Sequence, residues 1–250
     1  MPLPRADLES LLRTRRLDRT LTTTLACPLG AAVAPTGLPV LDAELGGGFP
    51  RGQLSEIVGS RSSGRMSLLL QMAAQATARG ELVACVDALD MFDVGSARAA
   101  GVDLTRFLWI RGHVVASPGA CRDMNQRALE QAVRALALVL QSGSFGLVAF
   151  DVAEAPREAL RRLPFTTWLR LQRMIEGAET VCVLVGAEQV ARSSAGLTLR
   201  VEKGELGSRV VRFTCRMFEG LDIHARVVGS RARADKEATV TLATVANDHV

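Results

Sequence analysis

The residues best suited to chemistry lie in Val58-Gly59-Ser60-Arg61-Ser62-Ser63-Gly64-Arg65-Met66-Ser67, where two glycines enclose four residues. That spacing suits a loop that turns backbone N–H groups onto an anion and then presents the N-terminus of a helix to it. Phosphate is the natural ligand of such a loop. Phosphoryl transfer would need two further groups, a lysine after Gly64 to reach the β- and γ-phosphates and then a hydroxyl to hold magnesium. Arg65 and Met66 occupy those places. A planar guanidinium on a longer stem does not sit where a compact ammonium sits, and a thioether is a poor ligand for a hard cation. Ser67 comes one residue late, which on a helix rotates its hydroxyl away by ~100°. The loop leaves room for loose anion or nucleotide binding and predicts badly impaired metal-assisted phosphoryl transfer.

The elements that must position this loop are legible around it. GQLSEIVG reads as a short strand entering the glycines, and Arg65 to Arg79 as a helix carrying Leu68, Leu69 and Met72 and stopping at Gly80. ELVACVD is the next strand, Val94 to Ala100 a short helix, and Phe107 to Ile110 (FLWI) a buried strand before a loop with Pro118 and Gly119. Arg122 to Gln141 is the clearest helix, with Leu129, Val133, Leu136 and Leu140 on one face. The strand Leu147 to Asp151, the helix Phe165 to Glu176 and the strand Val181 to Gly186 follow. Short apolar runs alternating with helices predict an α/β fold, a mainly parallel sheet covered on both faces. After Ala195 only strands recur, in LTLRVEK, RVVRFTCRMF, DIHARVV and ATVTLATV, which predicts an antiparallel continuation. The expected divisions are an N-terminal helix (Arg5 to Thr20) and linker over 1–35, the core over 36–203 and the strand extension over 204–250.

Composition bounds the function. The 250 residues are 48% hydrophobic but only 4% aromatic, with no tyrosine, so base stacking is not the main binding device. A net charge of +4 and a pI near 9.1 favour an anionic partner only weakly. Cys27, Cys85, Cys121, Cys182 and Cys215 show no paired spacing and read as reduced, buried residues. His113, His224 and His249 are scattered, and no metal site is expected. No apolar run approaches membrane-spanning length, and a cytoplasmic location is expected.

Thr36-Gly37, Leu41-Asp42, the glycine-rich turn before Pro50-Arg51-Gly52, Glu56, Val86-Asp87-Ala88, and Ala97-Arg98 followed by Gly101-Val102-Asp103 occur in that order. From Thr36 to about Lys203 the chain resembles the core of bacterial RecA recombinases, which implies a RecA-like fold with ATP and magnesium as family cofactors. In the recombinases a glutamate two residues after the aspartate matching Asp87 activates water; Leu89 stands there. A tyrosine that stacks on adenine falls near Ser96. The strand-end aspartate that supports the magnesium shell is matched by Asp151. The second DNA-binding loop is cut down between Gly186 and Gly196, and Gln189, near the place of the γ-phosphate-sensing glutamine, reads as a surface residue. The candidate nucleotide site is therefore a relic made of Gly59, Ser62, Ser63, Gly64, Arg65, Ser67 and Asp151, with no catalytic residue, no metal ligand and no required cofactor.

Within the resemblance, Thr36-Gly37-Leu38-Pro39-Val40-Leu41-Asp42 and Pro50-Arg51-Gly52-Gln53-Leu54-Ser55-Glu56 are similar to ImuA proteins, also described as SulA/RecA-like, accessory factors of damage-induced (SOS) mutagenesis. That likeness implies an ImuB-like Y-family polymerase homologue and an error-prone replicative-class polymerase as partners in translesion synthesis. It also raises RecA or a second copy as a partner of the N-terminal helix. Arg61, Arg65, Arg192, Arg200, Lys203, Arg209, Arg212 and Arg216 suggest weak, sequence-independent DNA binding. Two alternatives stay open at this level: a divergent ATP-dependent RecA-like recombination protein, and a SulA-like cell-division inhibitor.

Overall fold

The structure, a computed structural model, describes residues 32–112, 122–191, 196–203, 222–230 and 239–243. The N-terminal helix expected over 5–20 lies outside the described residues. So do Cys27, Cys121, Cys215, His113 and His249, the loop at Pro118-Gly119, the strand expected over 209–218, and Arg192.

Why a sheet forms is plain from its central runs. QLSEIV (β3, Gln53–Val58), VACVD (β4, Val83–Asp87), LVAFD (β6, Leu147–Asp151) and VCVLVG (β7, Val181–Gly186) are buried almost throughout. Only a sheet covered on both faces can bury alternate residues of both sets. Ile57, Cys85 and Val183 accordingly join one apolar layer, and Leu54, Val86 and Leu184 the other. The first layer is closed by α2 (Arg65–Ala78) through Leu68, Leu69 and Met72. Helices α4 (Arg122–Ser142) and α6 (Phe165–Ile175) close the second through Leu129, Leu136, Trp168 and Leu171.

Among the described residues the main sheet has eight strands in the order β10-β9-β8-β3-β7-β6-β4-β5, with β5 at Phe107–Arg111, β8 at Leu197–Lys203, β9 at Asp222–Ser230 and β10 at Thr239–Ala243. Pairing is parallel from β8 through β5 and antiparallel for β8–β9 and β9–β10. The antiparallel continuation begins with β9, since Leu197–Lys203 still pairs parallel with β3 on its other side.

One expectation is corrected. FLWI is not a fully buried strand: among the described residues β5 pairs only with β4, and Leu108 is 43% exposed. An apolar run does not distinguish a central strand from an edge strand. Three short elements were not foreseen. They are α1 (Pro39–Leu45), the ribbon of β1 (Val33–Ala34) with β2 (Phe49–Pro50), and α5 (Arg157–Arg162). The remaining short helix, α3 (Val94–Ala99), starts where expected, its N-terminus capped by the Asp93 carboxylate.

Candidate functional site

Strand β3 ends at Val58, and the Gly59 N–H donates to the Gly186 carbonyl at 3.1 Å, fixing the loop's entry against β7. A Cβ on Gly59 would lie 2.4 Å from both Ser63 Oγ and the Val201 carbonyl, so no side chain fits. The chain then turns through Ser62 (φ 59°) and Gly64 (φ 93°), both left-handed, and α2 begins at Arg65. Gly64 provides no side-chain cap for the N–H groups of the helix's first turn. The helix start borders a cavity of about 260 Å³ lined by Arg61, Ser62, Gly64, Arg65, Ser67 and Asp151, together with Met66, Met91, Ala153 and Glu154. Six of the expected residues thus converge on one cavity or frame it, Gly59 by forming the turn. Ser63 does not line it. Its side chain is fully buried under the loop, and its hydroxyl has no hydrogen-bond partner among the described residues.

The decisive side chain is Arg65. It is only 7% exposed, and its guanidinium folds back to donate to the Gly59 carbonyl and, at 2.8 Å, to Glu154 Oε1. Arg61 approaches the same carboxylate at 3.7 Å. The loop's positive charge is therefore answered from within the chain, by a residue three positions beyond β6. Glu154 was missed from the sequence; its only signal is an acid shortly after the strand-end Asp151.

Asp151 is 5% exposed and accepts from the Ala153 N–H at 2.9 Å. Burial pushes its carboxyl up to about 6; the Ala153 N–H opposes this, the neighbouring Asp87 adds to it and Arg65 opposes it. Two acids and two arginines leave the cavity close to neutral, which is a poor field for a polyphosphate.

The remaining positions do not fit a magnesium nucleotide. Met66 packs half-buried against the first apolar layer, and Ser67, the next residue, is exposed. Leu89, where a base would stand, packs against the second layer. Asp87 is taken up by its own loop, accepting from the N–H groups of Leu89 and Phe92 and from Trp109 Nε1. The Ser96 hydroxyl donates to Asp93 at the start of α3. Gln189 is exposed, as expected of a surface residue.

Several signature residues prove to be scaffold. Thr36 donates from its N–H and hydroxyl to Asp42, and Gly37 N–H reaches the same carboxylate, which ties off the first turn of α1. Arg51 bridges the Glu179 carbonyl and Glu81. Glu56, fully buried, accepts from the N–H groups of Val190 and Ala191 at 2.8 Å and from Thr198 Oγ1, clamping the segment after β7 to β3. Burial raises its pKa and those three donors oppose the rise.

Of the cations expected to meet DNA, Arg61 and Arg65 are ion-paired, Arg200 is half-buried opposite Arg226, and Lys203 is exposed. Arg209, Arg212 and Arg216 lie outside the described residues. Cys85 and Cys182 are buried free thiols, and burial pushes the Cys182 thiol up to about 12. Among the described residues no His, Cys, Asp and Glu side chains gather into a group that could hold a metal ion, and no helix is long and apolar enough to cross a membrane.

A mainly parallel sheet sandwiched by helices, with a glycine loop joining a central strand to the next helix, defines a RecA-like α/β protein. The sequence profile of the RecA N-terminal domain matches residues 29–160. The chain belongs to that family. It is 30% identical over 224 residues to Protein RecA of Symbiobacterium thermophilum, covering 82% of this chain and 60% of that protein. It is 36% identical over 164 residues to Protein RecA of Leifsonia xyli subsp. xyli, covering 62% of this chain and 42% of that protein. With Protein RecA of Clavibacter michiganensis subsp. michiganensis it shares 38% identity over 125 residues, 50% of this chain and 31% of that protein. The chain thus spans at most 60% of the length of these relatives.

Proposed function

We propose that this protein is a non-catalytic accessory member of the RecA family, ImuA-like, that supports error-prone translesion synthesis in the DNA damage response through protein contacts. The observation that carries the reading is the Arg65 side chain, which is buried and held between the Gly59 carbonyl and Glu154. A guanidinium so placed neutralises the loop internally instead of meeting a phosphate, while Leu89 leaves no base to activate water. The scaffold residues are kept and the chemistry is not, which suits a protein whose task is to be bound. Its partners in this reading are an ImuB-like Y-family polymerase homologue and an error-prone replicative-class polymerase.

The test has two arms. Purified protein should capture the polymerase homologue from the same genome in a pull-down, and magnesium-dependent ATP turnover should stay at the blank. DNA-stimulated hydrolysis that Arg65→Ala abolishes would overturn the reading. The intact turn at Ser62 and Gly64 is the one feature that favours the alternative, a divergent ATP-dependent recombination protein. Calorimetric titration with ATP and magnesium separates the two, since tight, magnesium-dependent binding belongs to the enzyme alone.

A further inference from the structure

Beside the glycine loop, at the carboxyl ends of β6 and β7, the structure holds a second cavity of about 270 Å³ that the relic site does not use. Its apolar wall comes from Val152, Leu160, Leu163, Trp168 and Val190. Trp168 is 2% exposed, so the base of the cavity is part of the core, whereas Phe165 at the rim is 40% exposed. Arg157, Arg161 and Glu188 also line it.

Both sides of the cavity are fixed before anything binds. The segment after β7 is held through Val190 and Ala191 by the buried Glu56 carboxylate. On the other side the Val152 N–H donates to the Val185 carbonyl and the Ala155 N–H to the Val152 carbonyl, each at 3.0 Å. The chain then enters α5 and α6 directly after Pro156 and Pro164, whose fixed φ angles set the direction of each short helix. A preformed cavity of this kind lowers the ordering cost of an incoming chain.

Size and charge select the occupant. The volume, at the low end of the roughly 300–1,000 Å³ of small-molecule sites, is enough for one bulky side chain, the usual anchor of a protein contact. At the rim Arg157 is paired with Glu188 at 2.5 Å, while Arg161 and the neighbouring Arg162 form no ion pair among the described residues and are exposed. The uncompensated charge at the mouth is positive. Nucleic acid is disfavoured, because its binding rests on several phosphate contacts, and here one lining arginine is unpaired beside an apolar wall and the Glu188 carboxylate.

We propose that this cavity docks an acidic linear segment of a partner protein, which inserts one bulky apolar side chain against Trp168 and Leu163 and sets its carboxylates against Arg161. The assignment rests on the accessory reading and locates the contact surface that reading requires.

The test is fluorescence anisotropy on the full chain with a labelled dodecapeptide of aspartates and glutamates around a single central phenylalanine. Saturable binding is expected, weakened at least tenfold by Arg161→Glu, at an exposed position whose replacement leaves the melting curve unchanged, and by Phe165→Ala. Replacing the peptide's phenylalanine by alanine should weaken it equally. No binding to the unmodified protein, or binding that neither variant alters, overturns the proposal. If oligo-dT binds the same site through Arg161 and displaces the peptide, the site belongs to nucleic acid and the proposal also falls. A pull-down of the polymerase homologue then separates the two claims. Capture by both the unmodified protein and Arg161→Glu keeps the accessory reading and removes this cavity from it. Absence of capture by the unmodified protein counts against the accessory reading, whatever the peptide does.

Discussion

Asp87 and Asp151 stand opposite each other in register at the ends of adjacent parallel strands, and both are buried. Their surroundings differ in one respect. The loop 88–92 wraps back and gives Asp87 two N–H donors, from Leu89 and Phe92, and β5 adds a third from Trp109 Nε1, whereas the turn 152–155 gives Asp151 the single N–H of Ala153 and directs Glu154 to Arg65. A buried carboxylate is comfortable in proportion to the donors it collects. Asp87 has become a structural tie, and Asp151 is left holding its proton up to about pH 6. The register position in the sheet is the same; the following loop and, for Asp87, the neighbouring edge strand decide what the acid does.

The contrast can be broken at four places, in descending order of effect. Asp87→Ala strands the buried Phe92 N–H and two further donors, and should lower unfolding free energy by about 2–4 kcal/mol in urea titrations. Asp151→Asn should act in the opposite direction. The folded carboxyl titrates near 6 against an ordinary 3.8, because burial outweighs its one hydrogen bond. The folded state therefore binds the proton more tightly than the unfolded chain, and stability is lost as pH rises from about 4 to about 6. The neutral amide escapes that loss, with a gain of up to about 3 kcal/mol near pH 8 that vanishes near pH 4. Glu154→Gln removes the partner of a buried guanidinium, but from a carboxylate about a third exposed. A loss of about 1 kcal/mol is expected, together with calorimetrically detectable tripolyphosphate binding as Arg65 is freed. Arg61→Ala, at a 3.7 Å contact on an exposed side chain, should change stability by less than about 0.5 kcal/mol.

What was legible in the sequence follows from the range of each signal. Strands β3, β4, β6 and β7 and helices α2 and α4 declare themselves through unbroken apolar runs or a four-three-four spacing, which local sequence carries. Helix α5 is only six residues long, too short for a period to show. The glycine loop was recognised because its turn is encoded by adjacent residues. The lock on it was not, since Glu154 lies 89 residues from Arg65 and only the pairing of β3 with β7 and β7 with β6 brings them together. Glu56 was noted as part of a pattern, but its partners at 190, 191 and 198 are likewise supplied by the fold.

The placement of β3 has a consequence for how the chain is made. Its two neighbours are β7 and β8, so Gln53 waits for Val181 and Ser55 for Leu197. Roughly 130 residues must be synthesised in between, on the order of ten seconds at about 5–20 residues per second. Throughout that interval the strand that carries the glycine loop has no sheet to join, and such long-range parallel pairing is slow to nucleate. The loop is therefore among the earliest parts of the described chain to leave the ribosome and among the last to take its shape.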